Sequence, residues 1–380
     1  VEAFCEKNKV FSIRNDEKEE IWIYDKGIYI PEGKTHISEF CRHIVGKHVS
    51  TYFINNVILK IRTDSFINQD EFFINEDTNL IPVENGIYNI KEGKLFPFHD
   101  KYRFFNKIPI KYDSEVTNDA IQTYFEGVLR NREDVLIIQE LFGYAIYRDF
   151  PIHKTFMFNG GGRNGKGKVI ELLKMFIGAG NCTDLSLQDM QQDNFTIARL
   201  HTKLMNLSGD IDGGFIQQSG LFKKVTGGDL LTAKRKFKTD LTFRNFSKMV
   251  FACNNLPNFG DDSHGFWERW CLLDFPNTFL KESAFNKCSA EEIKKNRYQL
   301  ADPNILNAIM DESKLPALLN WALIGLDRLL DSNEFSESKT KEEVRVDWKK
   351  KSSPMYSFAK TCITDSYENY IGFSELKQNY

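Results

Sequence analysis

The stretch Asn159-Gly160-Gly161-Gly162-Arg163-Asn164-Gly165-Lys166-Gly167-Lys168 constrains this chain more than any other. It follows a short apolar run, Thr155-Phe156-Met157-Phe158. It precedes a segment with apolar residues at helical spacing, Val169, Leu172, Leu173 and Phe176, closed by Gly178. Strand, glycine loop and helix in that order are the context in which such a loop cradles phosphates. Glycines let backbone N–H groups approach phosphate oxygens, and the helix start adds partial positive charge. Lys166 is then placed to bridge the β- and γ-phosphates. Residues Gly160 to Lys168 are therefore the expected nucleotide site, with ATP and Mg²⁺ as the expected cofactors.

One position breaks the pattern. A Ser or Thr normally follows the lysine and holds Mg²⁺ through its hydroxyl. Here that place is Gly167, followed by Lys168. Either carboxylates farther along the chain and water hold the metal, or the site is weaker than usual. A nucleotide kinase and a DNA-binding scaffold with a degenerate ATPase site stay open as alternatives.

At 380 residues the chain has room for two or three domains, and 41% hydrophobic residues suffice for a sizeable core. A formal net charge of −3 gives no general affinity for nucleic acid, so any such contact must come from a local patch. The seven cysteines are scattered with no C-x-x-C pair, which fits reduced thiols in an intracellular protein. Cys41, His43 and His48 lie close together but form an incomplete metal set. No run of about eighteen apolar residues exists, so no membrane span is expected. The chain begins at Val1 and its first methionine is Met157, so it is expected to be a piece of a longer polypeptide.

Residues 1–114 read as a mixed α+β accessory domain. Ile21 to Tyr24 and Ile28 to Ile30 flank Asp25-Lys26-Gly27, a hairpin signal. Asn85-Gly86 and Glu92-Gly93 punctuate further apolar runs, and 36–60 carries helical spacing. Residues 115–151 form a helical lead-in with Val135, Ile138, Leu141, Phe142 and Ala145 on one face.

The core, 152–276, has four strand candidates: Thr155 to Phe158, Lys203 to Ser208, Lys248 to Cys253 and Trp270 to Leu273. Each ends in a polar group, as where a parallel sheet presents ligands at its carboxyl ends. Asp210 after the second strand is placed to hold Mg²⁺, and Asp212 to assist or to polarise the attacking water. Asn254 or Asn255 after the third is placed to orient water against the γ-phosphate. Arg269 is placed to stabilise transition-state charge; an arginine finger acts on a neighbouring subunit's nucleotide and so implies an oligomer.

Between the second and third strands, residues 223–248 hold eight basic side chains (Lys223, Lys224, Lys234, Arg235, Lys236, Lys238, Arg244, Lys248) against Asp229 and Asp240, a local balance of +6. Lys234, Arg235, Lys236, Phe237 and Lys238 in a hairpin suit a strand-tracking element, cations for phosphates and an aromatic ring for base stacking.

Taken in order, the glycine loop, Asp210, Phe222 to Asp229, Asn254-Asn255-Leu256-Pro257 and Phe266-Trp267-Glu268-Arg269-Trp270 resemble a superfamily 3 helicase, closest to the helicase part of phage, plasmid and poxvirus-type primase–helicases. Lys166, Asp210, Asn254 and Arg269 are spaced 44, 44 and 15 residues apart, the compactness of that family. The segment from about 20 to 150, including Val83 to Tyr88, resembles the domain that precedes the helicase core there. The resemblance implies an α/β fold: a P-loop AAA+-like core with a central parallel sheet flanked by helices, preceded by a mixed α+β domain and followed by a helical tail. It implies a homo-oligomeric ring, expected as a hexamer, that moves on single-stranded or forked DNA in the 3′-to-5′ sense during replication of a virus, phage or plasmid. A primase domain or partner is a further expectation. By this resemblance Lys166 is the phosphate lysine, Asp210 the metal-binding acid, Asn254 the sensor, Arg269 the finger, and Lys234 and Lys236 lie in the channel hairpin. Gly209-Asp210 stands where many relatives place glutamate, which leaves the base open.

Residues 277–345 read as a helical C-terminal segment, with Leu318, Trp321, Ala322, Gly325 and Leu329 on an amphipathic helix after Pro316. Lys349-Lys350-Lys351 read as a solvated helix end, with contact to DNA as the alternative. Residues 346–380 are the expected start of a winged-helix-like tail.

Overall fold

A computed structural model of the chain describes residues 1–14, 20–73, 77–192, 194–209, 211, 213–217, 219–235, 238–337 and 339–362. The central elements are helix α1 (Arg132–Ile146), strand β1 (Thr155–Asn159), helix α2 (Lys166–Ile177), and strands β2 (Cys182–Thr183), β3 (Met205–Ser208), β4 (Lys248–Cys253) and β5 (Trp270–Asp274). Helices α3 (Leu315–Ser332) and α4 (Lys341–Ser352) follow. The five strands form one wholly parallel sheet in the order β5-β1-β4-β3-β2. Parallel strands require crossover connections, and α2 supplies the one that carries the chain from β1 to β2, three places away in the sheet.

A parallel sheet must be covered on both faces, and its strand residues divide accordingly. Phe156, Phe158, Val250, Ala252, Cys271 and Leu273 join one apolar cluster. Their alternates Met157, Met249, Phe251, Cys253, Trp270 and Leu272 join another. The first face is closed by α1, α2 and α3: Val169, Leu172, Leu173 and Phe176 of α2 are fully buried there. The second face is closed by Phe222 and Val225, by Leu231, Ala233, Leu241 and Phe243, and by Val344 and Trp348 of α4. Trp270 stacks on Phe222 with ring centroids 4.9 Å apart.

The lead-in helix α1 was expected to pack on the nucleotide core, and its closest partner is α3. Two glycines set that approach. A Cβ at Gly143 would collide with the carbonyl oxygen of Ala322 and lie 2.6 Å from the Leu326 nitrogen. A Cβ at Gly325 would collide with the Gln139 carbonyl oxygen. Between the helices Glu140, fully buried, accepts from Arg328 Nε at 2.6 Å and from Ser336 N at 2.9 Å. The pair and its backbone donor satisfy the carboxylate that burial would otherwise penalise.

The N-terminal hairpin forms as expected: Ile21–Asp25 pairs with Ile28–Ile30 across Lys26 and Gly27, at φ 44° and 96°. Two helices follow, Gly33–Val45 and Thr51–Asp64, the second capped by Ser50, whose hydroxyl accepts from Phe53 N at 3.2 Å. Asn85-Gly86 joins Leu80–Val83 to Gly86–Asn89, and Lys94–Phe96 completes a three-stranded antiparallel sheet. Ile81, Val83 and Tyr88 of this sheet share the core of α1 and α3.

Strand β2 was not foreseen, because two residues carry no readable periodicity. At the C-terminus a helix spans Pro354–Cys362, and the rest of the expected winged-helix-like tail lies outside the described residues. Among the described residues no helix is long and apolar enough to cross a membrane.

The α1–α3 contact yields a paired prediction. Gly143→Ala should lower unfolding free energy by about 1–3 kcal/mol, because the new methyl meets rigid backbone. Gly127→Ala, where a Cβ meets nothing within 4 Å, should be neutral or slightly stabilising. Denaturant unfolding of both variants measures the difference.

Candidate functional site

The glycine loop leaves β1 at its carboxyl end and enters α2 at Lys166, as expected from the sequence. Its backbone is extreme: Gly162 and Gly165 have φ of 97° and 90°, and Arg163 has φ 50°. Gly165 is the residue before the helix and also faces the Val128 side chain, which a Cβ would meet at 3.0 Å. Gly160 is required for a different reason, since a Cβ there would collide with the Asn164 amide. Gly161 and Gly167 have open space at the Cβ position. Asn164 is buried and clamps the loop, donating from Nδ2 to Phe275 O at 3.3 Å.

Lys166 is buried, and its Nζ donates to Gly160 O, to Asn164 Oδ1 at 3.2 Å and to Asn254 Oδ1 at 3.1 Å. The ammonium is therefore aimed back into the loop and toward the end of β4. Of the two asparagines after β4, Asn254 reaches the lysine, while the backbone and Cβ of Asn255 lie against Gly213. Lys168 points outward and pairs with Glu171 at 2.8 Å. The donor-rich loop, the lysine and the first turn of α2 together can hold a polyphosphate anion.

Asp210 and Asp212, the expected metal and base residues, lie outside the described residues. Among the described residues no group of three His, Cys, Asp or Glu forms a metal site. The Cβ position of Gly167 is open, yet the residue offers no hydroxyl to a cation.

Arg269 sits at the other end of the sheet. The register pairs Trp270 with Thr155 and Asp274 with Asn159, so Arg269 precedes the strand end opposite the loop, roughly 15 Å away at about 3.3 Å per residue. Its Nη1 donates to Gly265 O, its Nε is buried without a partner, and its Nη2 lies near Gly227. The arginine and the glycine loop of one chain are not brought together.

The basic segment corrects several expectations. The hairpin forms from Leu230–Arg235 and Lys238–Arg244, with Lys236 and Phe237 at its turn outside the described residues. Alternation puts Leu231, Ala233, Leu241 and Phe243 in the core and leaves Thr232, Lys234, Thr242 and Arg244 exposed. Arg235, expected to contact DNA, pairs with Glu20 of the N-terminal region at 3.2 Å. Lys223 pairs with Asp261 at 2.5 Å. Lys248 contributes nothing to a surface patch: it is fully buried, donating to the carbonyls of Tyr147, Asp149 and Phe246, with its Nζ 4.4 Å from the Tyr144 ring centroid. Burial pulls its pKa well below the usual lysine range. Among the described side chains of the hairpin strands, the exposed cations are Lys234 and Arg244, on one face.

The C-terminal lysines are likewise not a free helix end. Lys349 donates to Asp262 Oδ2 at 2.9 Å, and Lys351 to both oxygens of Asp274 at 2.6 Å.

Comparison with known proteins follows this geometry. A family model described as D5 N terminal like matches residues 2–131, and one described as a family of unknown function (DUF5906) matches residues 158–269. A protein of Acanthamoeba polyphaga mimivirus described as a candidate helicase, L207/L206, is 24% identical over 254 residues, covering 63% of this chain and 26% of that protein. An African swine fever virus protein described as a candidate primase, C962R, is 23% identical over 347 residues, covering 76% of this chain and 35% of its own length. The apo structure of the NrS-1 C-terminal region superposes with a TM-score of 0.55 at 13% identity, covering 99% of this chain and 83% of that one, and so shares the fold. The chain is primase–helicase-like. It spans 26% and 35% of the length of these two viral relatives.

In this primase–helicase-like chain the sequence did not reveal the residues that hold the loop from outside. Asp274 accepts from Asn159 Nδ2 at 2.9 Å, and Phe279 N donates to Arg163 O at 2.7 Å. The available signal was the polar residue one past the fourth strand candidate. Nor did it reveal His201, whose ring packs between Phe73 of the N-terminal region and Phe243 of the hairpin, at 4.8 Å and 5.1 Å.

Burial first, then the nearby Arg235 charge, pulls His201 down to about 4. The folded state thus excludes a proton that the unfolded chain binds near 6.5, so this contribution to stability is intact above about pH 6.5. It is lost as pH falls toward 4 and is worth on the order of 3 kcal/mol. Thermal unfolding should show wild type losing stability between pH 7 and 5, and His201→Phe should flatten that loss.

Proposed function

We propose that this chain is the ATP-hydrolysing motor of a DNA helicase that acts in replication, with an AAA+-like core of the superfamily 3 type working as a ring of identical subunits. The observation that carries this reading is Lys166: its ammonium is gathered by Gly160, Asn164 and Asn254 where β1 and β4, adjacent parallel strands, end together. The strand order β5-β1-β4-β3-β2 supports it, because it sets the sensor strand beside the loop strand. The viral relatives described as helicase and primase support the replicative setting.

In this reading the loop N–H groups and Lys166 bind the β- and γ-phosphates, and Asn254 orients the attacking water. Asp210, with water, would hold Mg²⁺, which would supply charge neutralisation to the phosphates, with Asp212 as base or its helper. Arg269, roughly a strand length from its own loop, acts on the nucleotide of an adjoining subunit. This is why the ring, expected as a hexamer, is part of the proposal. The exposed Lys234 and Arg244 contact the strand that is moved, in the 3′-to-5′ sense, and Lys236, Phe237 and Lys238 are assigned to the same DNA-binding set from the sequence.

ATP hydrolysis measured with and without single-stranded DNA tests the proposal. Stimulation by DNA is expected, with loss of turnover of 10²-fold or more in Lys166→Ala and Arg269→Ala. Lys234→Ala/Arg244→Ala should retain hydrolysis and lose unwinding. Mixing Lys166→Ala with Arg269→Ala subunits should regain part of the activity. Phosphoryl transfer to a nucleoside monophosphate by a monomer would favour the kinase instead, and nucleotide binding without turnover the scaffold.

A further inference from the structure

The phosphate-binding reading makes one acidic residue conspicuous. Asp274 ends β5 directly beside Asn159, the residue from which the glycine loop departs, and is joined to it by the 2.9 Å hydrogen bond from Asn159 Nδ2. The next residues carry that position into the loop. Phe275 N donates to Asn159 O at 2.9 Å, Asn164 donates to Phe275 O, and Phe279 N donates to Arg163 O. A carboxylate at the root of a loop that takes a triphosphate is an electrostatic liability, since like charges in a partly buried setting repel strongly.

The chain answers with Lys351, the next-to-last residue of α4, whose Nζ contacts both carboxylate oxygens at 2.6 Å. Burial acts to raise the Asp274 pKa, but the hydrogen bonds from Lys351 and Asn159 outweigh it and keep the carboxyl below its ordinary range. Helix α4 holds the lysine in place. Trp348 is buried and donates from Nε1 to Pro257 O at 2.8 Å. Arg345 and Lys349 both grip Asp262, and Trp348 packs on Trp267 and Trp270, the residues on either side of Glu268-Arg269. One helix therefore touches the segment that carries Arg269 and, a turn later, the root of the glycine loop.

We propose that Lys351 is a positioning residue for nucleotide binding: it cancels the charge of Asp274 and, through Asp274 and Asn159, fixes the root of the loop that receives the triphosphate. The proposal rests on the nucleotide reading, and it assigns a role in that site to a lysine from outside the ATPase core motifs. Its consequence is a sign that packing alone does not give. Removing the lysine exposes a negative charge and weakens nucleotide binding; removing the carboxylate leaves a positive charge and strengthens it.

The test is titration of a fluorescent ATP analogue with Mg²⁺ into the full chain, with hydrolysis measured alongside. Lys351→Met should raise Kd about three- to tenfold while kcat changes less than about twofold. Asp274→Asn should lower Kd, and Asp274→Asn/Lys351→Met should return it to within about twofold of wild type. The Lys351→Met defect should also shrink as salt rises. Equal Kd in wild type and Lys351→Met overturns the proposal, as does a double variant no better than Lys351→Met. If Lys351→Met does not fold, Asp274→Asn decides alone, and an unchanged or raised Kd overturns the proposal. Lys166→Ala separates the two levels. If wild type does not bind, or Lys166→Ala binds as well as wild type, the nucleotide reading falls and this inference with it. If Lys166→Ala fails to bind while Lys351→Met is unaltered, only the inference falls.

Discussion

Five parallel strands cannot face water on either side, and this chain is built around that obligation. Each strand residue that points one way must find a cover, and its neighbour must find another. One cover is helical, formed by α1, α2 and α3. The other is largely aromatic, centred on Trp270, Phe222, Trp267 and Trp348. The glycine loop exists where it does because β1 ends there and α2 must begin at once to cover the sheet. The left-handed glycines are the cost of turning so sharply between them.

The covers also tie together parts of the chain that are distant in sequence. Gly143 and Gly325 let α1 and α3 approach closely enough for Gln139 and Arg328 to bond across, so the lead-in and the C-terminal helix behave as one layer. On the opposite face α4 is bonded to the Asp262 loop through Arg345 and Lys349 and to Asp274 through Lys351. His201 makes a third connection, wedging the N-terminal region against the hairpin, while Glu20 holds Arg235. The hairpin is thus braced at its base by the core and near its turn by the N-terminal region.

Charge counting along a sequence treats every lysine as exposed. The segment 223–248 shows why that fails. Lys248 belongs to a buried cage of carbonyls and rings, Lys223 to Asp261 and Arg235 to Glu20, so the formal excess of +6 overstates the exposed cations; among the described side chains Lys224, Lys234 and Arg244 are exposed. Lys349 and Lys351, at a helix end that read as solvated, are likewise engaged in ion pairs with Asp262 and Asp274.

What the sequence determined by itself was local and periodic. The strand–loop–helix around Lys166, the hairpin turns at Lys26-Gly27 and Asn85-Gly86, the strand Lys248–Cys253 and the helix after Pro316 follow from alternation, glycine and proline chemistry, and caps, which act over a few residues. Only the tertiary structure decided that Asn254 rather than Asn255 meets Lys166, and that Arg269 lies at the opposite sheet end from its own loop. It also decided that Asp274 and Lys351 flank the loop's root. Those facts depend on which strands become neighbours and in what register. The reason is that such contacts form between residues tens to hundreds of positions apart, and no short-range pattern records the partner.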